Sequence, residues 1–368
     1  MTSLYHYTSV YGFEGIVRNK AIRMTKSEFL NDPYDCHLFV EIIGKYLKTH
    51  QEFLSDVISS VQNDSEEVRT LYSEKGCDLV RYIEYVQKSI NVYVMSFTKQ
   101  DDTMNMWNYY GQGGMEVEIL VDGLVDSLRS TLGSEREFLT KASVIYANIG
   151  QGVEDIKVPN FSDFVLMSRD SENIFEEHRS YIKEKSYYQT DQLYATSNLG
   201  NFLKTYIKGY IYSLSHLLKC GEIDEDTDSH EVFRRVFQNT AQLNDDLFWK
   251  HDLSLYMLVL SALIKSDTYQ YEDEYRIVYF EHNIEPDKEK DEEYAIKNMA
   301  PSCFLHPYIT FQSDGLLRDA LKSVTISPVT RNLPIDNEAY VDTVKRFLVG
   351  QGLSAEVEVK YSKHNIRW

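Results

Sequence analysis

The chain has few cysteines, no long apolar run and a deficit of basic residues, and each shortage removes a class of protein. Its four cysteines, Cys36, Cys77, Cys220 and Cys303, are scattered over 368 residues without a Cys-x-x-Cys pair. That spacing excludes the common zinc arrangements and argues against a disulfide framework. The longest nearly apolar run, Leu253 to Ile264, is about half of the roughly 20 residues that cross a bilayer. The residues after Met1 show neither a basic n-region nor an apolar h-region, so no secretory signal is visible. Basic side chains number 38 against 57 acidic ones, a net charge of −19. Bulk electrostatics therefore oppose nonspecific adhesion to nucleic acid or to an anionic membrane. A cluster of Arg18, Lys20, Arg23 and Lys26 reads as solvated surface, or as a local basic groove. The expectation is a soluble, reduced, cytoplasmic protein with no membrane partner.

Familiar signatures are also missing. There is no His-Glu-x-x-His, no Gly-x-Ser-x-Gly and no P-loop, and Gly111-Gln-Gly-Gly114 does not follow the Rossmann spacing. Asp224, Asp226 and Asp228 resemble the start of an EF-hand loop, but Ser229 replaces the required glycine and Arg235 stands where glutamate belongs. Cys36-His37 is too little for a metal site, so no metal is expected.

What is abundant is tyrosine, 28 residues beside 17 phenylalanines. Tyrosine fills core while keeping a hydroxyl, which suits wet clefts and broad contact surfaces. The first thirty-odd residues form the most clearly patterned unit. Leu4 to Thr8 alternates as a strand with His6 at its centre. Ser9 is an N-cap for a helix from Val10 to Asn19, with Phe13, Ile16 and Val17 as its apolar face. Ala21 to Thr25 is a second strand, and Phe29-Leu-Asn-Asp-Pro33 a turn.

Further along, Cys36–Leu47, Gln51–Val61 and Glu66–Ser89 carry helical periodicity, a helical excursion over 36–90. Strands are expected at Asn91–Thr98, Met115–Val121 and Ala142–Tyr146. From Phe161 to Ser266 the chain reads almost wholly helical, strongest at Phe202–Leu218 and Asp245–Ile264. Glu274–Glu281 alternates as a strand, and Asp287–Glu293 is a charge run expected in an exposed loop. Ser302–Gln312, Ser323–Ser327 and Ala355–Tyr361 are strands, and Asn337–Gly350 a helix ending at glycine. The predicted organisation is an α+β core in two parts, 1–158 and 266–368, around a helical insertion over 159–265.

Two places hold candidate chemistry. Glu272 and Glu274 stand two apart at the mouth of a strand, which puts both carboxylates on one face. Their repulsion requires a compensating charge: Arg276, Lys265, a metal or a cationic substrate. A hydrated strand end with a salt bridge satisfies the same pattern. His6 is either a hydrogen-bonded core residue or a catalytic one, and Trp107 with Tyr109 and Tyr110 either core or cleft wall.

The order of these parts is more specific than any one of them. Tyr5-His6-Tyr7-Thr8, a helix, a second strand and Leu30-Asn-Asp-Pro33 come first. Ser96-Phe97-Thr98, Met106-Trp107 with Tyr110, Glu272-x-Glu274-x-Arg276 and the closing Val359-Lys-Tyr-Ser-Lys363 with Arg367 follow. Over most of its length the chain resembles the family of unknown function known as DUF2971, which is in turn similar to the ADP-ribosyltransferase superfamily. That resemblance implies an ADP-ribosyltransferase-like split β-sheet with a large helical insertion. It also implies NAD as substrate and transfer of ADP-ribose to a macromolecular acceptor (RNA, DNA or protein). A bacterial antiphage or toxin role, with an antitoxin or regulatory protein as partner, belongs to the same implication. Carried over by motif, Glu274 is the catalytic carboxylate, Glu272 the assisting one, and His6 the residue that orients NAD. Tyr7, Thr8, Thr25, Trp107 and Arg276 line the nucleotide site, and Tyr11 is another candidate for the aromatic wall. The middle residue of the superfamily's triad has no clear match; Thr25, Ser27 and Tyr34 are the candidates. The competing readings are a nucleotide- or phage-component-sensing module without chemistry, and an NAD glycohydrolase.

Overall fold

The computed structural model describes residues 3–365 except 31, 33–34, 62–63, 134–136, 149, 151, 160–163, 175–197, 243–247, 283–292, 300–301, 314 and 319. The fold is mixed α and β around a mostly antiparallel sheet. In chain order the strands are β1 (Ser3–Thr8), β2 (Ala21–Lys26), β3 (Ile90–Thr98), β4 (Met115–Leu120), β5 (Glu137–Ser143), β6 (Ile145–Ala147), β7 (Leu166–Met167), β8 (Ile264–Ser266), β9 (Glu274–His282), β10 (Glu293–Met299), β11 (Ser302–Gln312), β12 (Leu321–Ile326) and β13 (Glu358–Tyr361). The helices are α1 (Val10–Asn19), α2 (Leu38–Thr49), α3 (Gln51–Ser60), α4 (Ser65–Arg69), α5 (Leu79–Lys88), α6 (Met104–Tyr109), α7 (Val121–Arg129), α8 (Leu199–Lys219), α9 (Ser229–Gln242), α10 (Phe248–Leu263) and α11 (Asn337–Gly350).

The opening unit follows its local chemistry. Ser9 Oγ accepts the Gly12 amide at 3.0 Å and starts α1, whose Phe13 and Val17 are buried. Lys20 ends the helix in the left-handed region, φ 49°, and returns the chain into β2.

The sheet forks at β3. One edge of β3 pairs with β9 along its whole length, from Ile90↔His282 to Thr98↔Glu274. The other edge is shared between two strands. Tyr93 and Val94 pair with Lys26 and Thr25 of β2, whereas Thr98 pairs with Tyr5 of β1. Among the described residues, Met95, Ser96 and Phe97 lie between these pairings and join neither strand. From the fork one branch runs through β2 to β11 and β10, the other through β1 to β4, β12 and β13.

Alternation along β3 and β9 feeds two cores. Val92, Val94, Val278 and Phe280 join the apolar cluster built with α2, α3, α5 and α8–α10. Tyr93, Met95, Phe97, Ile277 and Tyr279 join a second cluster with α1, α7 and α11. Helices therefore cover both faces of the sheet.

Several expected boundaries move. The helix expected over Glu66–Ser89 is broken: α4 runs into a π-helical turn at Thr70–Glu74, and Gly76 at φ 74° precedes α5, capped by Asp78. Ala142–Tyr146 is two strands, because Val144 bonds the Glu274 carbonyl at 2.9 Å and the chain moves from β5 to β6. The helix expected to reach Ile264 ends at Leu263, where β8 begins, and the last strand starts at Glu358 rather than Ala355. Of the charge run assigned to a loop, Glu293 opens β10 and 287–292 lie outside the described residues. Strand β10 itself, short β7 and helices α6 and α7 were not foreseen.

Candidate active site

A cavity of about 240 Å³ occupies the fork. Its walls come from β1 (Tyr5, His6, Tyr7), β2 (Arg23, Thr25), the stretch of β3 that joins neither β1 nor β2, and Met106 and Tyr110 of the α6 segment. Lys265, Glu272 and Glu274 form its charged end.

His6 reaches across the fork, its Nδ1 donating to the Ser96 carbonyl at 3.0 Å. A carbonyl only accepts, so Nδ1 carries the proton and, in the neutral ring, Nε2 keeps a lone pair. Burial lowers the His6 pKa, with the Ser96 bond a smaller opposing effect, so the ring is neutral at pH 7. The bond also caps a β3 carbonyl that β1 and β2 leave exposed between them.

The charged end is a buried network. Lys265 Nζ lies 2.8 Å from Glu272 Oε2 and 2.9 Å from Glu274 Oε2. Arg276 Nε donates to Glu274 Oε1 at 2.8 Å. Its two terminal nitrogens clamp Asp35 Oδ1 and Oδ2, both at 2.7 Å, and one of them also reaches the Ala262 carbonyl at 2.6 Å. Tyr110 donates to Glu272 Oε1 at 2.6 Å. Burial alone would raise the Glu274 pKa, but Arg276 and then Lys265 outweigh it and hold the carboxyl down to about 2. Lys265 is held charged in return, its carboxylate neighbours overcoming the desolvation that would lower it.

Local geometry explains the convergence. Glu272 is not in the strand but ends a 3₁₀ turn, Asp267–Glu272, and Asp273 follows in the left-handed region at φ 42°. The two carboxylates meet because this reversal folds both onto Lys265, not because strand alternation puts them on one face. Lys265 is placed by β8, which pairs in parallel with β6 as Lys265↔Tyr146. Tyr146 Oη in turn accepts the Glu274 amide at 2.8 Å.

His6, Tyr7, Thr25, Glu272 and Glu274 come together in the cavity. Thr8 does not; it lines a neighbouring cavity of about 320 Å³ with Tyr11, Asn19 and Gln312, which shares His6, Arg23 and Met95 with the first. Trp107 is not a wall. It is 1% exposed, packs edge-on against Tyr7 and donates Nε1 to Asp102 at 2.7 Å; Met106 and Tyr110 take the wall position. Arg276, also 1% exposed, is consumed by Asp35, Glu274 and the Ala262 carbonyl and does not face the cavity. Ser27 starts a 3₁₀ turn outside it, and Tyr34 lies outside the described residues. Asp35 is the partner that sequence reasoning missed, its only signal being its place just after the Asn-Asp-Pro turn.

These groups set a pH dependence. Glu274 has a folded pKa below its unfolded one, so its contribution is complete above about pH 5 and is lost as pH falls towards 2. His6 acts in the same direction, losing stability as pH falls below its unfolded value near 6.5. Glu116, raised to about 7 by burial, has the opposite sign: its contribution is complete below its unfolded value near 4.5 and lost as pH rises through 7. Urea midpoints across pH 3–9 are expected to peak between about 5 and 6. Glu116→Gln should flatten the alkaline limb and leave the acid limb in place; an unchanged alkaline limb refutes the assignment.

Comparison with protein-family models, curated proteins and solved structures returned no match.

Proposed function

We propose that the chain is an NAD-dependent mono-ADP-ribosyltransferase with an ADP-ribosyltransferase-like split sheet, acting on a macromolecular acceptor (RNA, DNA or protein). An antiphage or toxin setting is part of the same proposal. The observation that carries it is the pairing, within one cavity at the sheet fork, of a neutral His6 with a carboxylate held ionised at the head of β9.

NAD ionises at the C1′–N bond through an oxocarbenium-like centre, as glycosides do. Four carboxylates face the cavity against two cations on its wall and Arg276 behind Asp35 and Glu274, and the small negative excess favours both the cationic pyridinium and the positive charge that develops on the ribose. A carboxylate offers about four lone-pair sites. At Glu274, Arg276 takes one on Oε1, while Lys265 and Arg276 share Oε2. The Ser96 hydroxyl is also close enough to lower the Glu274 pKa, and its place is the one a ribose 2′-hydroxyl would take. His6 Nε2 accepts from the carboxamide or ribose end and orients it. The C1′–N electron pair leaves with neutral nicotinamide, the acceptor's nucleophile bonds to C1′, and its proton passes to Glu272.

One observation favours a second reading, a sensing module without chemistry: the Glu274 carboxylate is already heavily engaged by its two cations. The deciding assay uses NAD labelled on its adenylate half, with wild-type protein and Glu274→Gln, incubated with separated RNA, DNA and protein fractions. Label entering one fraction with wild type alone supports the transferase and names its acceptor class. Free ADP-ribose and nicotinamide indicate a glycohydrolase instead. Intact NAD in every mixture, phage-infected lysate included, overturns the enzyme reading in favour of the sensor.

A further inference from the structure

Far from the cavity in sequence, the end of the chain is locked onto one residue of the β3–α6 connection. Beyond β13, the Ser362 amide continues the ladder to the Ile326 carbonyl at 2.9 Å, and its side chain is fully buried. Ser362 Oγ donates to Asp102 Oδ1 at 2.6 Å, and the Lys363 amide to Asp102 Oδ2 at 2.7 Å. His364 Nε2 donates to the Asp102 carbonyl at 2.7 Å. Asp102 is itself buried and held in the left-handed region at φ 48°. Its amide donates to Glu116 Oε2 at 2.8 Å, and its Oδ1 also accepts Trp107 Nε1. A single residue thus takes three contacts from the C-terminal segment and joins them to α6.

The helix it holds is short, six residues, and an isolated helix of that length does not persist in water. Its position therefore depends on what grips it. Trp107 is gripped by Asp102 and Tyr7, and the Thr103 amide donates to Tyr7 Oη at 3.0 Å. Gly111 sits behind this stack so closely that a Cβ there would come within 2.6 Å of Trp107 and 3.0 Å of Tyr7. Tyr110, on the residue after α6, then carries the placement into the cavity through its bond to Glu272.

We infer that Asp102 is a positioning residue for the cavity, and that Ser362–His364 is the lock that keeps α6, and through it Tyr110, against Glu272. Released from the lock, α6 samples positions in which the wall is open, and only the locked fraction binds ligand. Apparent affinity then falls in proportion to that fraction, while turnover of bound substrate is unchanged. The nucleotide arm of this inference rests on the NAD reading; the structural arm does not.

The test is the full chain carrying Ser362→Ala with His364→Ala. Amide hydrogen exchange is expected to rise about tenfold at Trp107 and Tyr110, while the core of β3 and β9 keeps its wild-type protection. KM for NAD is expected to rise about tenfold with kcat within twofold, and His364→Gln alone, which retains a donor, should stay near wild type. Unchanged exchange in α6 overturns the lock whether or not NAD is turned over. Loosened α6 with unchanged KM overturns the positioning role. If wild type leaves NAD intact, the enzyme reading fails and the exchange measurement still decides the lock.

Discussion

Arg276→Met is expected to lower the free energy of unfolding by about 3–5 kcal/mol, the cost of removing one partner from a buried ion pair. Methionine approximates the arginine stem in length, so the loss is electrostatic rather than a cavity. Asp35, which lies just before α2 (Leu38–Thr49), would lose both hydrogen bonds to its carboxylate at 2.7 Å. Of its two cations Glu274 would keep only Lys265, and the Ala262 carbonyl would lose its 2.6 Å donor. Three elements separate in sequence, the segment before α2, the end of α10 and β9, are joined by this one guanidinium. Arg276→Lys should recover only part of the loss, because an ammonium cannot clamp Asp35 with two nitrogens and reach Glu274 in the same geometry. Urea unfolding at pH 7 measures both variants. A change below about 1 kcal/mol for the methionine variant, within the range of a surface pair, would refute the network as a structural keystone.

His6→Ala is expected to behave in the opposite way, with a small effect on stability and a large one on turnover. The fold loses one hydrogen bond, Nδ1 to the Ser96 carbonyl, worth about 1 kcal/mol net, and the cavity supplies room for water to replace it. If His6 orients the reacting end of NAD, misplacement costs on the order of 100-fold in kcat/KM. Asparagine at this position should restore the bond to Ser96 but not the Nε2 acceptor, so it should recover stability without activity. Calorimetry and an NAD-consumption assay on the same preparations separate the two. Full activity in His6→Ala would leave this histidine a bracket across the fork and nothing more.

These two variants also mark different depths of legibility. Arg276 and Lys265 were named from sequence as cations able to neutralise Glu272 and Glu274, because like charges two residues apart require compensation wherever they are buried. Asp35 was not, since nothing local relates it to a residue 241 positions away. His6 was read as a strand residue with two meanings. Its bond to Ser96 depends on β1 and β2 parting along the same edge of β3, which neither strand's pattern contains. Trp107 was read as core or cleft wall, and the resemblance placed it at the nucleotide site. Its indole is turned inward by Asp102, an acceptor whose own position is set from the far end of the chain.

By itself the sequence determined the elements whose signals are local: Ser9 capping α1, the β-rich alternation of β3 and β9, and the helical periodicity of α2 and α8. Capping, periodicity and side-chain volume act over a few residues, and the folded chain obeys them. Only the tertiary structure decided the fork in the sheet, the reversal at Asp273 that brings two carboxylates onto one lysine, and the docking of Ser362–His364 on Asp102. Each joins segments whose separation in sequence carries no pattern, and each is held by buried polar groups that must find partners once water is excluded.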